Sequence, residues 1–402
     1  MDLAAQKRSL TIIWITIFID LMGVTLIIPY INDFVEELGG DEQMVGLLLA
    51  SYATMQLIFA PVWGRISDRI GRRPVIIIGL ATSAVAFTIF GMASQLWLLF
   101  ASRSLAGFAN ANISTAQAYV ADITPPAERA GWMGLVGAAF SLGFIIGFPI
   151  GGVLSTAYGN RAPALFAAAL SLINCLAAVF ILPESYPKEA RQAHLKAASA
   201  NVLEAFRSTM QNLTRFWRRK ELSRVLTTFL LFSVAFSIIH VTFVEYSRDI
   251  LHMTPQDRGF VFMFIGVVGA ITQATVIKRL VRAVGEDRVI ELGLVALAVG
   301  LASIPFLRTN ALLYIGAFFI ALGNSLVTPA VTAVISMRSA DHEQGTAMGV
   351  TQSLGSLGRI IGPPYGGITY AQINFYFPFL SAAGIALGAL AIYARRQKKQ
   401  GQ

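Results

Sequence analysis

Two charged residues stand inside long apolar stretches of this chain, where charged groups are rare. Asp20 lies well within the stretch 10–31, and Arg103 lies within the stretch 96–119. A charge at the centre of a bilayer costs about 2.5–3.5 kcal/mol on insertion scales, so such residues are candidates for function. A carboxyl group placed like Asp20 can load and release a proton, and Arg103 is its candidate partner in proton coupling. The alternative is a permanent ion pair that only holds two helices together.

Polar side chains also recur at helical spacing. One set falls on a single helix face and comprises Arg103, Gly107, Asn110, Ser114 and Gln117. Such a face has no large apolar side chains to contact lipid, so it predicts one wall of a central cavity. Further candidates for the wall of that substrate cavity are Gln56, Asn324, Gln352 and Arg359. The alternative for each amide is a hydrogen bond that joins two helices.

The elements that must position these residues are membrane-spanning helices. The chain is 55% hydrophobic and only 13% charged, whereas soluble domains have about 25% charged residues. Its apolar runs are long enough to cross a hydrocarbon layer of about 30 Å. The sequence therefore predicts an all-α membrane protein with spans near 10–31, 44–63, 74–94, 96–119, 131–155, 162–182, 223–244, 257–277, 289–307, 311–335, 345–368 and 372–394.

The net charge of +9 is explained by topology. Basic residues cluster at 65–73, at 278–288 and after residue 394, whereas the segment 32–43 is acidic and has no Lys or Arg. The positive-inside rule then predicts a multi-pass protein of the cell inner membrane with both termini in the cytoplasm. The lipid bilayer is therefore a partner of the chain, and no nucleic-acid partner is expected.

An internal repeat divides the chain. The spacing of Gly71, Val75, Ile76 and Gly79 recurs from Gly285 to Gly293. Duplication of a six-helix unit predicts two halves, residues 1–182 and 223–402, with a binding site between them. The cytoplasmic linker 183–222 has apolar residues at helical spacing, which predicts either an amphipathic helix on the inner leaflet or a short soluble helix.

The loop after the second span has a specific pattern of glycine and charge. It contains Gly64, Asp68, Gly71, Arg72 and Arg73. This G-x-x-x-D-R-x-G-R-R arrangement resembles the major facilitator superfamily. The resemblance implies a twelve-helix bundle of two six-helix halves.

The same resemblance implies a cytoplasmic gate built around this loop. Arg72 would pair with Asp122 at the end of the fourth span, where Arg129 follows in a related motif. The internal duplication places Gly345, at the start of the eleventh span, opposite Asp68, so we expect Asp68 to meet that helix start when the cytoplasmic side is closed. Asp20 and the stretch around Asp122 look more narrowly like tetracycline efflux proteins. The third span departs from that group because it has no acidic residue.

Two glycine-rich motifs lie in the fifth and eleventh spans. The first comprises Gly143, Gly147, Pro149, Gly151 and Gly152, and the second comprises Gly358, Gly362, Pro363, Gly366 and Gly367. The pattern resembles the fifth-helix signature of drug/proton antiporters, although Phe148 stands where a proline is expected. The alternative is ordinary close packing of helices, which small residues also allow.

These features predict a secondary active transporter that exports a small, partly hydrophobic organic compound or drug by proton-coupled alternating access. An importer or facilitator of a sugar or organic-anion metabolite is the alternative, and a sensor or scaffold would have no use for polar faces around a cavity. Without a phosphate-binding loop, and with only four histidines and one cysteine, we expect no enzyme activity, no cofactor and no metal site. The expected partners are a small-molecule substrate and protons, and the expected state is monomeric.

Overall fold

Helices make up nearly all of the described chain. The structure is a computed structural model that describes residues 3–110, 113–186, 202–340 and 343–394, and no β-strand occurs among them. Its helices are α1 (Leu3–Ile27), α2 (Ile31–Glu37), α3 (Glu42–Ile70), α4 (Arg72–Gly91), α5 (Leu96–Asn110), α6 (Ile113–Ile123), α7 (Pro126–Tyr158), α8 (Ala162–Ile181), α9 (Val202–Trp217), α10 (Lys220–Asp249), α11 (Pro255–Ile271), α12 (Ile277–Ser303), α13 (Asn310–Met337), α14 (Gln344–Gln372) and α15 (Phe377–Ala394). Lipid cannot hydrogen-bond the backbone, so a spanning segment must satisfy its own amides in this way.

Nine stretches within the described residues are long and apolar enough to cross a membrane. One of them, Pro255–Phe306, is 52 residues long and covers both the eighth and the ninth predicted span. The predicted fourth span coincides with α5 and α6, and the eleventh coincides with α14, whose polar face lowers its hydropathy. The helices are therefore consistent with the twelve predicted spans.

The helices form two groups, which we name the first half (α1–α8) and the second half (α10–α15). Within the first half α1 packs on α7, and within the second half α10 packs on α14. The halves meet along two seams, α3 with α14 and α7 with α11. We call the end of the bundle with Arg65 and Arg72 the basic end, and the opposite end, with Asp33, Glu36 and Asp41, the acidic end.

The repeat in the sequence corresponds to a repeated backbone turn. Gly71 separates α3 from α4 with φ 102° and ψ 163°, and Gly285 bends α12 with φ 81° and ψ 162°. Residues with a Cβ rarely adopt these positive φ values, so both turns require glycine. The next helix begins directly after each turn, and the same local rule therefore orients the third and the ninth predicted spans.

The first glycine motif brings α7 against α1. Thr25 Oγ1 donates a hydrogen bond of 3.0 Å to the carbonyl oxygen of Gly143. A Cβ on Gly147 would overlap the side chain of Thr25, and one on Gly151 would overlap the carbonyl oxygen of Leu26. The two backbones approach this closely because small residues leave room between them.

The second glycine motif repeats this arrangement between α14 and α10. Ser237 Oγ donates a hydrogen bond of 2.6 Å to the carbonyl oxygen of Gly358. A Cβ on Gly362 would overlap the Ser237 hydroxyl group. A hydroxyl group therefore bonds the first glycine of the motif in both halves, which is the structural counterpart of the duplicated sequence.

Replacing Gly151 by alanine should destabilise the fold. The new methyl group would meet the backbone of Leu26, which cannot move away as a flexible side chain could. Overpacking of this kind costs about 1–3 kcal/mol. We expect a lower midpoint of thermal unfolding for purified Gly151→Ala. The matched control is Gly384→Ala on α15, where nothing lies within 4 Å of the new Cβ. Equal midpoints for both variants would contradict the packing argument.

Candidate functional site

The centre of the site is the carboxyl group of Asp20 on α1. Ser83 on α4 donates a hydrogen bond to it at 3.4 Å. Asp20 is half-buried, and no ion pair reaches it from the part of the chain that the structure describes. The alternative in which Asp20 is permanently paired with Arg103 is therefore not the arrangement of this conformation.

Arg103 on α5 is turned toward an aromatic ring instead. Its guanidinium carbon lies 4.6 Å from the ring centroid of Tyr52 on α3. The side chain is 2% exposed, and its Nε and Nη1 have no hydrogen-bond partner among the described residues. A cation over an aromatic face is stabilised without a counter-charge, although less than by a carboxylate.

Tyr52 was missed by the sequence reasoning. It lies one helical turn before Gln56 and within electrostatic range of Asp20, Arg103 and Arg359. The signal that could have found it is the four-residue step to Gln56, which places both side chains on one face of α3.

A second arginine reaches the centre from the other half. Arg359 on α14 donates from Nη2 to Gln56 Oε1 at 3.2 Å and to Ser356 Oγ at 3.1 Å. The bond to Gln56 crosses between the halves at mid-height of the bundle. The two predicted cavity residues Gln56 and Arg359 are therefore brought together.

The predicted polar face of the fourth span divides into two parts. Ser114 and Gln117 are exposed, whereas Asn110 is 2% exposed and its Oδ1 has no described partner. The expectation that all five positions line one cavity wall was wrong for Gly107. Its Cα packs on the backbone of Tyr52, and a side chain there would overlap the Tyr52 carbonyl oxygen.

The remaining predicted cavity residues lie on the second half. Gln352 on α14 is exposed. Asn324 on α13 is half-buried, and its Oδ1 accepts a hydrogen bond of 3.3 Å from Thr328. The bond to Thr328 lies within one helix, and no hydrogen bond of Asn324 to another helix occurs among the described residues.

Charged pairs join the halves at the acidic end. Arg258 on α11 is 1% exposed and lies 2.5 Å from the Asp33 carboxylate of α2. Arg248 on α10 lies 2.6 Å from Glu36. Sequence reasoning used this acidic segment for topology only, because nothing local indicates partners more than two hundred residues away.

Asn32 adds a hydrogen bond to this set. Its amide donates to Glu245 Oε1 at 2.5 Å. The carboxylates of Glu245, Glu42 and Asp249 lie close enough together to suggest a cation site. Arg248 forms ion pairs with two of them, so those two carboxylates are already engaged by a cation of the protein.

Backbone contacts close the seam between α3 and α14 at the acidic end. A Cβ on Gly46 would lie 2.5 Å from the carbonyl oxygen of Pro363, and one on Gly367 would overlap that of Glu42. Further toward the basic end, a Cβ on Gly349 or on Gly64 would have no other atom within 4 Å. This seam therefore opens progressively from the acidic end to the basic end.

The seam between α7 and α11 is also closed at the acidic end. A Cβ on Gly152 would overlap the carbonyl oxygen of Pro255, and one on Gly259 would lie 2.6 Å from that of Phe148. The Phe148 ring, which replaces the expected proline of the motif, stacks on Phe262 at 4.8 Å between centroids. The halves thus enclose a cleft that is sealed at the acidic end.

The basic-end network lies within the first half. Arg72 Nη1 is 2.6 Å from Asp68, and its Nε donates to Asp122 at 3.1 Å, which is the pair that the resemblance implies. Glu184 accepts hydrogen bonds from the backbone N–H groups of Arg72 and Arg73, which ties this turn to the end of α8.

The contact expected between Asp68 and the start of α14 is absent in this conformation. Gly345 has nothing within 4 Å of its Cβ position, and the described ion-pair partner of Asp68 is Arg72. The physical reason is the open seam, which separates α3 from α14 at this end. The side chain of Arg129 lies outside the described residues.

The linker helix α9 bridges the two halves at the basic end. Arg65 of α3 donates to Ser208 at 2.8 Å. Arg215 and Arg219 form ion pairs with Glu343 beside the start of α14, at 2.9 and 2.7 Å. The hydrogen bonds to Glu343 raise the pKa of Arg219 above its usual value.

The apolar face of α9 is used for packing on the protein. Leu213 and Phe216 are buried in the hydrophobic core of the second half. This placement corresponds to a helix docked on the bundle, and in this conformation those two side chains are not available to a membrane surface.

Comparison with known proteins places this geometry in a family. The model of the Major Facilitator Superfamily matches residues 13–307 and 274–402. Multidrug resistance protein 2 of Bacillus subtilis is 33% identical over 392 residues, which covers 96% of this chain and 94% of that protein. Tetracycline resistance protein, class C, of Escherichia coli is 31% identical over 363 residues, which covers 89% of this chain and 88% of that protein.

A solved structure agrees on the fold. The human organic anion transporter MFSD10 superposes with a TM-score of 0.73 over 96% of this chain and 99% of its own, at 24% identity. Likeness at that identity concerns the fold alone. Together with the two halves and the cleft between them, these matches show that the chain belongs to the Major Facilitator Superfamily and is a membrane transporter rather than an enzyme.

Proposed function

We propose that this chain exports a small, partly hydrophobic organic compound from the cytoplasm in exchange for protons. The observation that supports this most is Asp20, an acid in the middle of a span with no ion-pair partner among the described residues. A structural acid at that depth would be paired, whereas a proton carrier must be free to change its charge. The relatives named for multidrug and tetracycline resistance support a compound of the same class.

The basic end is the cytoplasmic end in this proposal, with both termini on that side of the inner membrane. Residues 1–182 and 223–402 then rock as two units about the residues 183–222 that link them, within a monomer. The cleft that opens at the basic end corresponds to the cytoplasm-facing state. Substrate would enter there and reach the level of Gln56 and Arg359.

Exchange requires that proton and substrate favour different states of the site. A proton on Asp20 removes its negative charge, while Arg103 is held on the ring of Tyr52. Binding of the substrate would favour the outward-facing state, and protonation of Asp20 from the outside would favour the return to the cytoplasm-facing state. One proton crossing a potential of 100 mV supplies about 2.3 kcal/mol, before any pH gradient.

The gate at the cytoplasmic end would use Gly64, Asp68, Gly71, Arg72, Arg73, Asp122 and Arg129. When this end closes, Asp68 would approach the start of α14, where unpaired backbone amides attract a carboxylate by about 0.3–1 kcal/mol, or up to about 2 if partly buried. The ion pair of Asp68 with Arg72 and that of Arg72 with Asp122 would keep the loop rigid during the movement.

Replacing Asp20 by asparagine should separate binding from uphill transport. The amide keeps the shape of the site but cannot carry a proton, so we expect Asp20→Asn to bind ethidium and to fail to accumulate it in everted vesicles with an imposed pH gradient. The matched control is Glu291→Gln, an acid of the ninth predicted span that pairs with Arg288. Full accumulation by Asp20→Asn would remove this residue from the coupling mechanism.

Weakening the ion pair of Asp33 with Arg258 at the acidic end should favour closure of the basic end. Asp33→Asn removes the counter-charge of Arg258, which is 1% exposed. The loss destabilises mainly the state in which the acidic end is sealed, because the arginine is buried in that state. Unpairing a buried charge costs about 3–5 kcal/mol, so the population should shift at least about tenfold. The measurement is maleimide labelling of Gly349→Cys in a Cys175→Ser background, which should become slower.

Replacing Asp68 by asparagine should have the opposite effect on the same reporter. The closed state would lose the carboxylate at the start of α14, whereas the open state keeps the pair of Arg72 with Asp122. Labelling of Gly349→Cys should become several-fold faster, since about 1.4 kcal/mol corresponds to a factor of ten. Arg288→Gln, outside both seams, should leave the rate unchanged. If Asp68→Asn loses transport without a change in labelling, the loop acts in folding instead.

A further inference from the structure

One face of α14 borders open space from the basic end to mid-height. A Cβ on Gly345 or on Gly349 would have no other atom within 4 Å, and Gln352 is exposed. These positions follow one another at steps of four and three, and Arg359 lies seven residues beyond Gln352 on the same helix face. A Cβ on Gly355 would meet only Arg359 Nη1, at 3.7 Å. The Arg359 guanidinium group therefore borders the cleft between the halves.

Arg359 has no counter-charge in this conformation. It is half-buried and has no ion pair among the described residues. Its two hydrogen bonds both come from Nη2, and their acceptors, the Gln56 amide and the Ser356 hydroxyl group, are neutral. The titratable groups within electrostatic range, Tyr52 and His240, are not carboxylates. Nε and Nη1 thus have no acceptor in the part of the chain that the structure describes.

Arg103 adds a second unpaired positive charge close by. Its guanidinium group lies over the ring of Tyr52, whereas Arg359 bonds Gln56, one helical turn further along α3. Residues four apart on one helix have Cβ atoms about 5–6 Å apart, so the two arginines contact neighbouring positions of α3. Asp20 is the one carboxylate at mid-height of the described bundle, and neither arginine pairs with it.

The centre of the described bundle therefore has two cations and a single carboxylate. A charge inside a membrane protein is normally paired, because it loses its hydration there. The Tyr52 ring compensates the charge of Arg103 in part, whereas Arg359 faces the cleft. A planar guanidinium group with unused N–H donors binds a carboxylate by charge-assisted hydrogen bonds. The counter-charge of Arg359 is one that a ligand in the cleft can supply.

We propose that Arg359 binds an acidic group of the transported compound, so that the substrate is an organic molecule with a carboxylate and an apolar body. The proposal rests on the export function above and names its substrate class. The ring of Tyr52, one turn away on α3, offers an aromatic face to the apolar body. Asp20 bonds Ser83 and takes no part in this contact. Acid and proton would then occupy separate positions, and exchange arises because each favours a different state.

Two dyes with the same skeleton test the acidic group. Rhodamine 110 has a carboxylate where rhodamine 123 has the methyl ester, and both have the same cationic ring system. The parent protein, purified in detergent, should bind rhodamine 110 about tenfold more tightly than rhodamine 123 by fluorescence anisotropy, because a hydrogen bond to a charged group contributes at least about that factor. Equal affinity of the parent for both dyes would overturn the proposal.

Variants of Arg359 assign the preference to this residue. Arg359→Gln keeps N–H donors but removes the charge, so the ratio of the two dissociation constants should fall to about one. Arg359→Lys keeps the charge without the planar fork of donors and should retain part of the preference. The matched control is Arg288→Gln, since Arg288 pairs with Glu291, and it should leave the ratio unchanged. An equal loss of affinity for both dyes in Arg359→Gln would mean that Arg359 only shapes the site, against the proposal.

Transport separates the substrate class from the export function. In everted vesicles with an imposed pH gradient, the parent should accumulate rhodamine 110 faster than rhodamine 123 when both dyes are dilute. Accumulation of both dyes at equal rates would contradict binding of an acidic group and leave proton-coupled export standing. A binding preference for rhodamine 110 without accumulation of either dye would count against the export function alone.

Discussion

Close backbone contact at the acidic end of the two seams is the constraint on which the rest of the structure depends. In each glycine motif the first of two adjacent glycines faces a helix of its own half, and the second faces the other half. Gly151 meets Leu26 whereas Gly152 meets Pro255, and Gly366 meets Ile238 whereas Gly367 meets Glu42. One pair of small residues therefore fixes both the internal packing of a half and its approach to the other half.

This contact determines where charges can be paired between the halves. At the acidic end the backbones touch, so Arg258 and Arg248 reach carboxylates of the first half. At the basic end the helices have separated, and Arg72 finds its partners Asp68 and Asp122 within its own half. The linker helix α9 spans the gap and neutralises Glu343 with two arginines. A change of state must exchange one set of inter-half contacts for another of similar free energy.

The centre of the bundle lies between these two ends and differs from both. Of the arginines that are buried in the described structure, Arg72 and Arg258 are ion-paired, whereas Arg103 lies on the ring of Tyr52. An aromatic face stabilises a cation less than a carboxylate does, but it does not neutralise it. In this conformation Asp20 accepts a hydrogen bond from Ser83 and has no ion pair among the residues that the structure describes.

The amino-acid sequence by itself determined the features that depend on local chemistry. The lengths of the apolar runs set the spans, the turns at Gly71 and Gly285 need a residue without a Cβ, and the glycine motifs mark close packing. Only the tertiary structure decided which side chains meet: Asp33 with Arg258, Arg103 with Tyr52, and the division of each glycine pair between two seams. The physical reason is that these contacts depend on the register and tilt of helices distant in the chain. Register and tilt follow from the packing of whole helix faces rather than from any short pattern of residues.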